Sequence, residues 1–330
     1  FPLMAELRAA LVSSMCPLEH FSAGGARLNT QVAEDWVSAI INIAQAKATT
    51  MKSLCVVGTD LSVPVAVKLV SSLPTICVDL SEEAVTNAFP GGYKELDSAV
   101  MVRELNLAKN SFHVLQWWAT VPRLLVHLDL SDVSTTDTQF LFAKLKSAVQ
   151  TLTSNIALQS LSLARISLLG SSSTEVNGFT DLLRTMLVCS SCVQLKRLDI
   201  SGCHSGLAGL QTLGECLRKN RTLNCLYFDG QRGERRDVYD LPIGWKALRG
   251  CFYGNKKIIE LSYPWNDIND YFAEVAGAVE VGMRNAASVK EQIGRAHRSG
   301  LFRQKAAKIQ EIIAIKKEFK SRERVRIGSV

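Results

Sequence analysis

The sequence predicts an α/β solenoid of short parallel strands, one per repeat and each followed by a helix, with a separate helical tail. Three observations carry this. An apolar skeleton of Leu, two residues, Leu, one residue, Leu returns nine times along the 330 residues. Between copies, apolar residues recur at three- and four-residue steps, the period of a helix. Beyond Asn266 the skeleton stops and the charge of the chain changes character. A repeating unit outranks any local motif in setting a fold.

The strands are expected to begin at Leu18, Met51, Leu73, Val102, Leu125, Leu158, Leu195, Leu223 and Ile258. The clearest copies are Val102-Leu105-Leu107-Asn110, Leu125-Leu128-Leu130, Leu158-Leu161-Leu163, Leu195-Leu198-Ile200-Cys203, Leu223-Leu226-Phe228 and Ile258-Leu261-Tyr263-Asn266. Weaker copies run Leu18-Phe21-Ala23, Met51-Leu54-Val56 and Leu73-Ile76-Val78. Helices are expected where Phe140, Leu141, Leu145, Val149 and Leu152 precede Asn155, and where Phe179, Leu182, Leu183 and Met186 precede Cys189. Leu210, Leu213, Cys216 and Leu217 before Asn220, and Trp245, Leu248 and Phe252 before Gly254-Asn255, follow the same plan. Asn or Gly after the last apolar turn is a stop signal. Residues 1–268 thus form the repeat body with a helical cap at its start, and residues 269–330 a basic helical cap and tail.

The skeleton resembles the leucine-rich repeat, and the room for a helix in each unit resembles its ribonuclease-inhibitor-like class. That resemblance implies a horseshoe with a concave parallel sheet and helices on the convex side. Strand side chains alternate, so the leucines enter the core and the residues between and after them face outwards. This nominates Asn106, Asp129, Ser162, Asp199, Tyr227 and Ser262 for a partner-binding surface, with Asp79, Ser131, Ser201 and Asp229 one step along.

A solenoid is first of all a binding surface, so a non-enzymatic protein–protein scaffold is expected. No catalytic residue, cofactor, metal or small-molecule substrate is expected. His20, His113, His127, His204 and His297 are scattered, none pairs with a nucleophile or a metal-ligand spacing, and His127 reads as structural. The nine cysteines fall mostly inside apolar patterns, Cys55, Cys77 and Cys225 on strands, which suits free thiols in a reducing, cytoplasmic setting. Cys189 and Cys192 with Cys203-His204 lack the second CxxC of a zinc site. The loop 231–240, Gly91-Gly92 and the Trp117-Trp118 pair interrupt the regular plan. Residue 1 is Phe, which reads as a trimmed chain. No apolar run approaches the roughly 18 residues that a membrane-spanning helix needs.

Charge separates the tail from the body. Residues 281–330 hold thirteen Lys/Arg against four Asp/Glu, leaving 25 basic and 27 acidic groups in the rest. Phe272, Val275, Val279, Met283, Val289, Ile293, Ile309, Ile312, Ile313 and Phe319 give helical faces there. Ser288-Val-Lys-Glu291 has the form of a capping box. Arg295, Arg298, Arg303, Lys305, Lys308, Lys316, Lys317, Lys320, Arg322, Arg324 and Arg326 make the segment suited to an acidic membrane or acidic partner. Nucleic acid is disfavoured, because aromatic residues that stack bases are nearly absent.

One stretch is similar to a narrower group. Leu213-Gly-Glu-Cys-Leu-Arg-Lys-Asn220, Leu223-Asn-Cys-Leu-Tyr-Phe-Asp-Gly230, Gly244-Trp-Lys-Ala-Leu, Asn255-Lys-Lys-Ile-Ile and Leu261-Ser-Tyr-Pro-Trp-Asn-Asp267 resemble the last repeats of the CARMIL (capping protein and myosin-I linker) family. The resemblance covers about 110 residues. It implies actin-cytoskeleton partners, a place at the membrane cortex, and a tail that dimerises and meets acidic membranes. Nothing in the chain matches that family's capping-protein-binding motif. Two other classes remain open. One is a structural subunit of a large permanent assembly, flagellar or ribosomal. The other is a Ran-type GTPase-activating protein, although such proteins usually end in an acidic tail and this chain has the reverse.

Overall fold

The computed structural model describes residues 2–13, 17–22, 24–25, 30–59, 61–73, 76–81, 85–86, 102–110, 124–133, 138–151, 158–168, 173–188, 195–231, 258, 260–262 and 266–267. The basic tail, the Trp117-Trp118 pair, Gly91-Gly92, the loop after Gln231, Cys189, Cys192 and the helix expected at Trp245 lie outside these residues.

Among the described residues nine short strands form one sheet in chain order, every pair parallel. They are β1 (His20–Ser22), β2 (Ser53–Cys55), β4 (Cys77–Asp79), β6 (Glu104–Asn106), β7 (His127–Asp129), β8 (Ser160–Ser162), β9 (Arg197–Asp199), β10 (Cys225–Tyr227) and β11 (Glu260–Leu261). The two-residue strands β3 (Leu61–Ser62) and β5 (Val85–Thr86) pair separately. Among the described residues six helices accompany them: α1 (Pro2–Ser13), α2 (Thr30–Ala46), α3 (Val63–Ser72), α4 (Thr138–Thr151), α5 (Ser173–Val188) and α6 (Gly206–Lys219). Pro64 in the first turn of α3 suits a helix start, where its missing N–H would have had no partner.

Register follows the skeleton. Leu54, Val78, Leu105, Leu128, Leu161, Leu198 and Leu226 are direct cross-strand partners, with Phe21 and Leu261 at the two ends. These seven are buried and merge with the inward faces of α2 to α6 into one core. Each contributes roughly 1.5–3 kcal/mol by leaving water. Phe142 of α4 and Phe179 of α5 meet with ring centroids 5.3 Å apart, tilted by 58°.

The skeleton's alignment is corrected in two places. In the third repeat Val78, not Ile76, occupies the central strand position, because Val78 pairs with Leu54 and Leu105. Leu73, Ile76, Val78 and Leu80 are all buried, so apolar spacing alone left the register undetermined. In the last repeat Asn266 is exposed and Asp267 is buried. Asn266 instead donates to the Asp229 carboxylate through its backbone N (3.0 Å) and its Nδ2 (2.9 Å).

The turns repeat as faithfully as the strands. Three residues after the last strand residue, Gly25, Gly58, Lys109, Asp132, Arg165, Gly202 and Gly230 all have φ between 58° and 78°. In all but Gly230, whose N–H turns back to Asp229 Oδ1, this N–H reaches the turn of the next repeat, as in Lys109 N to Ser131 O (2.8 Å) and Arg165 N to Ser201 O (2.6 Å). A left-handed residue costs any side chain about 1–2 kcal/mol, so three non-glycines holding it mark a turn imposed by its neighbours. Directly after this left-handed residue, the fifth residue past the strand centre is buried: Thr59, Asn110, Val133, Ile166, Cys203 and Gln231. There Asn110 Nδ2 donates to Leu80 O (2.6 Å) and Leu107 O (2.9 Å), and Cys203 Sγ to Leu163 O (3.1 Å).

Asn220 does end α6 as its sequence predicts, but through its side chain. Its backbone is extended at φ −66°, ψ 139°. Its Nδ2 donates to Leu187 O at the end of α5 (2.8 Å), and its Oδ1 accepts from Leu223 N (2.8 Å) entering β10. Lys146 of α4 and Asp181 of α5 add an ion pair at 2.9 Å.

Candidate functional site on the open face of the sheet

The central residue of each strand turns into the core, so its two neighbours must face the other way. The parallel register therefore writes two rows across the open face. The trailing row is Ser22, Cys55, Asp79, Asn106, Asp129, Ser162, Asp199 and Tyr227. The leading row is His20, Ser53, Cys77, Glu104, His127, Ser160, Arg197, Cys225 and Glu260. Neighbours within a row are about 4.8 Å apart, the spacing of hydrogen-bonded strands.

A groove of about 670 Å³ runs over this face from β2 to β9. Six of the ten residues nominated for partner binding line it: Asp79, Asn106, Asp129, Ser131, Ser162 and Asp199. The trailing row thus comes together as expected, and Asp79 belongs in its main line beside Asn106. The remaining four stand differently. Tyr227 lies under the guanidinium of Arg197, whose Cζ is 4.7 Å from the ring centroid. Ser262 is a connector, its Oγ accepting from Phe228 N at 2.8 Å. The Asp229 carboxylate is occupied by Asn266, and Ser201 N donates to Asp199. Ser262 and Asp229 thus each tie β10 to the residues that follow, and both stay partly exposed.

The leading row went unnoticed in the sequence, because attention to residues between and after the leucines passed over those just before the central one. The alternation that selects Asp129 selects His127 equally. His127, read from the sequence as structural, is corrected: it stands half exposed on the open face, 3.9 Å from Glu104. Arg197, on the same row, is exposed. Lining the groove are the carboxylates of Asp79, Glu104, Asp129 and Asp199 and the guanidiniums of Arg165 and Arg197.

Several of these groups are preset. Asp79, Asn106, Asp129 and Asp199 each accept at Oδ1 from the backbone N–H two residues on, at 3.0, 3.0, 2.8 and 2.9 Å. These bonds start the left-handed turns and aim the side chains at once. The Ser131 and Ser162 hydroxyls are hydrogen-bonded to each other at 2.6 Å. Arg165 faces Asp132 at 3.3 Å.

Cys77 is held as a thiol. Burial, and then its hydrogen bond to Glu104, push its pKa up to about 11. Site-resolved iodoacetamide labelling of Cys77 should keep accelerating about tenfold per pH unit past pH 9, where an ordinary thiol levels off. Glu104→Gln should move that profile to lower pH, and an unshifted profile would remove Glu104 as a cause. Burial raises the Cys203 thiol further, and its hydrogen bond to Leu163 O makes it a structural partner of the preceding repeat.

Among the described residues, no group of three or more His, Cys, Asp and Glu is placed to hold a metal ion. No described helix is long and apolar enough to cross a membrane. No known protein-family model matches the sequence, and no curated protein matches it either.

Proposed function

We propose that this protein is a leucine-rich repeat horseshoe of the ribonuclease-inhibitor-like class that works as a non-enzymatic scaffold. It binds a partner protein on the open face of its sheet, and through its basic tail it meets acidic membrane or a second copy. The observation that carries this is the pair of outward rows flanking the buried central residues, spaced by a parallel sheet in strict register. A rigid frame that presents polar and charged groups without ordering them on contact keeps the entropic cost of association low. The similarity of residues 213–267 to the CARMIL family, with thirteen Lys/Arg against four Asp/Glu in residues 281–330, favours a partner at the actin cortex.

Two comparisons test the reading. Glu104→Lys with Arg197→Glu changes exposed side chains of the open face without touching the core. A protein crosslinked to the intact chain in extract from its own cells should be lost from this variant, while the unfolding midpoint stays in place. Retention of the same partner removes the face from the proposal. A chain ending at Arg284 should lose binding to vesicles containing phosphatidylserine and, by light scattering, its dimer. Equal binding and equal mass in both chains remove the tail.

A further inference from the structure

We propose that the groove on the open face takes a polypeptide segment of mixed charge. The segment lies across the strands with basic side chains over Asp79, Glu104 and Asp129 and an acidic side chain over Arg197. This rests on the reading that the face binds a protein, and it names the chemistry of what binds there.

The placement comes from register. β4, β6 and β7 are consecutive in the sheet and carry Asp79, Glu104 and Asp129, while β9 carries Arg197 two strands beyond β7. At strand spacing, β4 to β9 spans about 19 Å, the length of roughly six extended residues. A groove of about 670 Å³ holds a short segment of that size rather than a folded domain.

Both ends of the groove are preorganised. The Asp79 and Asp129 carboxylates are each pinned at Oδ1 by a backbone N–H, which aims them before anything binds. Arg197 lies over Tyr227 at 4.7 Å, and stacking leaves the in-plane N–H edge of a guanidinium able to fork onto a carboxylate. Arg165 already has a carboxylate partner in Asp132, so Arg197 is the cation assigned to the incoming segment. A uniformly basic segment would meet Arg197, and a uniformly acidic one would meet four carboxylates, Asp199 on the strand of Arg197 included. Like-charge contact across an interface selects against the wrong partner more strongly than matched charge adds affinity.

Panning a displayed library of random peptides, about twelve residues long, against the whole chain tests this, because it reads composition as well as affinity. The enriched pool should carry Lys or Arg together with Asp or Glu within a six-residue window. Arg197→Glu should cut recovery of that pool about tenfold, and Glu104→Lys should do the same. Matched unfolding midpoints show that neither substitution acts through the fold. An enriched pool of one sign, or an apolar one, that Glu104→Lys still releases would overturn the mixed charge and leave the face as a binding surface. A pool indifferent to both substitutions, or no enrichment over bare support, would overturn the groove as a peptide site, and indifference would count against the proposed function as well.

Discussion

Replacing Asn110 by alanine is expected to destabilise the protein by about 2–5 kcal/mol, since each buried polar group left without its partner costs about 1–3 kcal/mol. Asn110 is only 1% exposed and bridges two repeats, donating from Nδ2 to Leu80 O and Leu107 O. Alanine removes the donor that both carbonyls share. Urea unfolding followed by circular dichroism reads the loss, and a change below about 1 kcal/mol would show that the carbonyls find other donors. Asn110→Val separates the two contributions. Valine occupies the same place in the next repeat as Val133, so it fills the space without restoring a donor. Recovery with valine would assign the cost to packing, and equal loss would assign it to hydrogen bonding.

Gly209→Ala is expected to cost about 3 kcal/mol, the upper range for forcing a methyl group into a packed site. The usual effect of this change inside a helix has the opposite sign, because glycine there is about 1 kcal/mol worse than alanine. Here a Cβ would overlap Ser205 Cβ and Oγ, and Ser205 cannot rotate out of the way of its own Cβ. Ser205 Oγ also donates to Gln231 Oε1 at 2.6 Å, so displacing it disturbs a fully buried glutamine. Gly178→Ala in α5 is the control. Its Cβ would rest 3.8 Å from Phe142 Cβ, an ordinary contact, and the variant should gain up to about 1 kcal/mol. Adding Ser205→Gly to Gly209→Ala should recover stability. A double variant no better than Gly209→Ala alone would place the strain elsewhere.

These two positions show how far the sequence could be read. Asn110 stands out by its place after the Val102-x-x-Leu105-x-Leu107 run, so a role at the repeat's turn was legible in the chain. Gly209 was not. Nothing local distinguishes it from Gly178, and only the packing of Ser205 against it does. The third repeat makes the same point for register. Leu73, Ile76, Val78 and Leu80 are spaced two or three apart, so two alignments of the skeleton satisfy the apolar pattern equally. Pairing of Val78 with Leu54 and Leu105 chooses between them.

The binding face divides along similar lines. Alternation within a strand is local, so the outward direction of Asp79, Asn106, Asp129, Ser162 and Asp199 followed from their neighbours in the chain. The same rule applied to the other flank would have found Glu104, His127 and Arg197. Whether an outward side chain is available to a partner depends on residues far along the chain. Asp229 lies 37 residues from Asn266, and Arg197 lies 30 from the ring of Tyr227.

Periodicity alone established that strands and helices alternate here, which residues enter the core, and that the basic charge gathers at one end. Each is a property of spacing along the chain, and burial of one leucine face suffices to enforce it. Tertiary structure decided the register of the third repeat, the seating of Asn266 on the Asp229 carboxylate, and the juxtaposition of Asp79, Glu104, Asp129 and Asp199 with Arg197. Those depend on which strand lies beside which, and contacts between residues tens of positions apart are set by packing the repeats together rather than by any one of them.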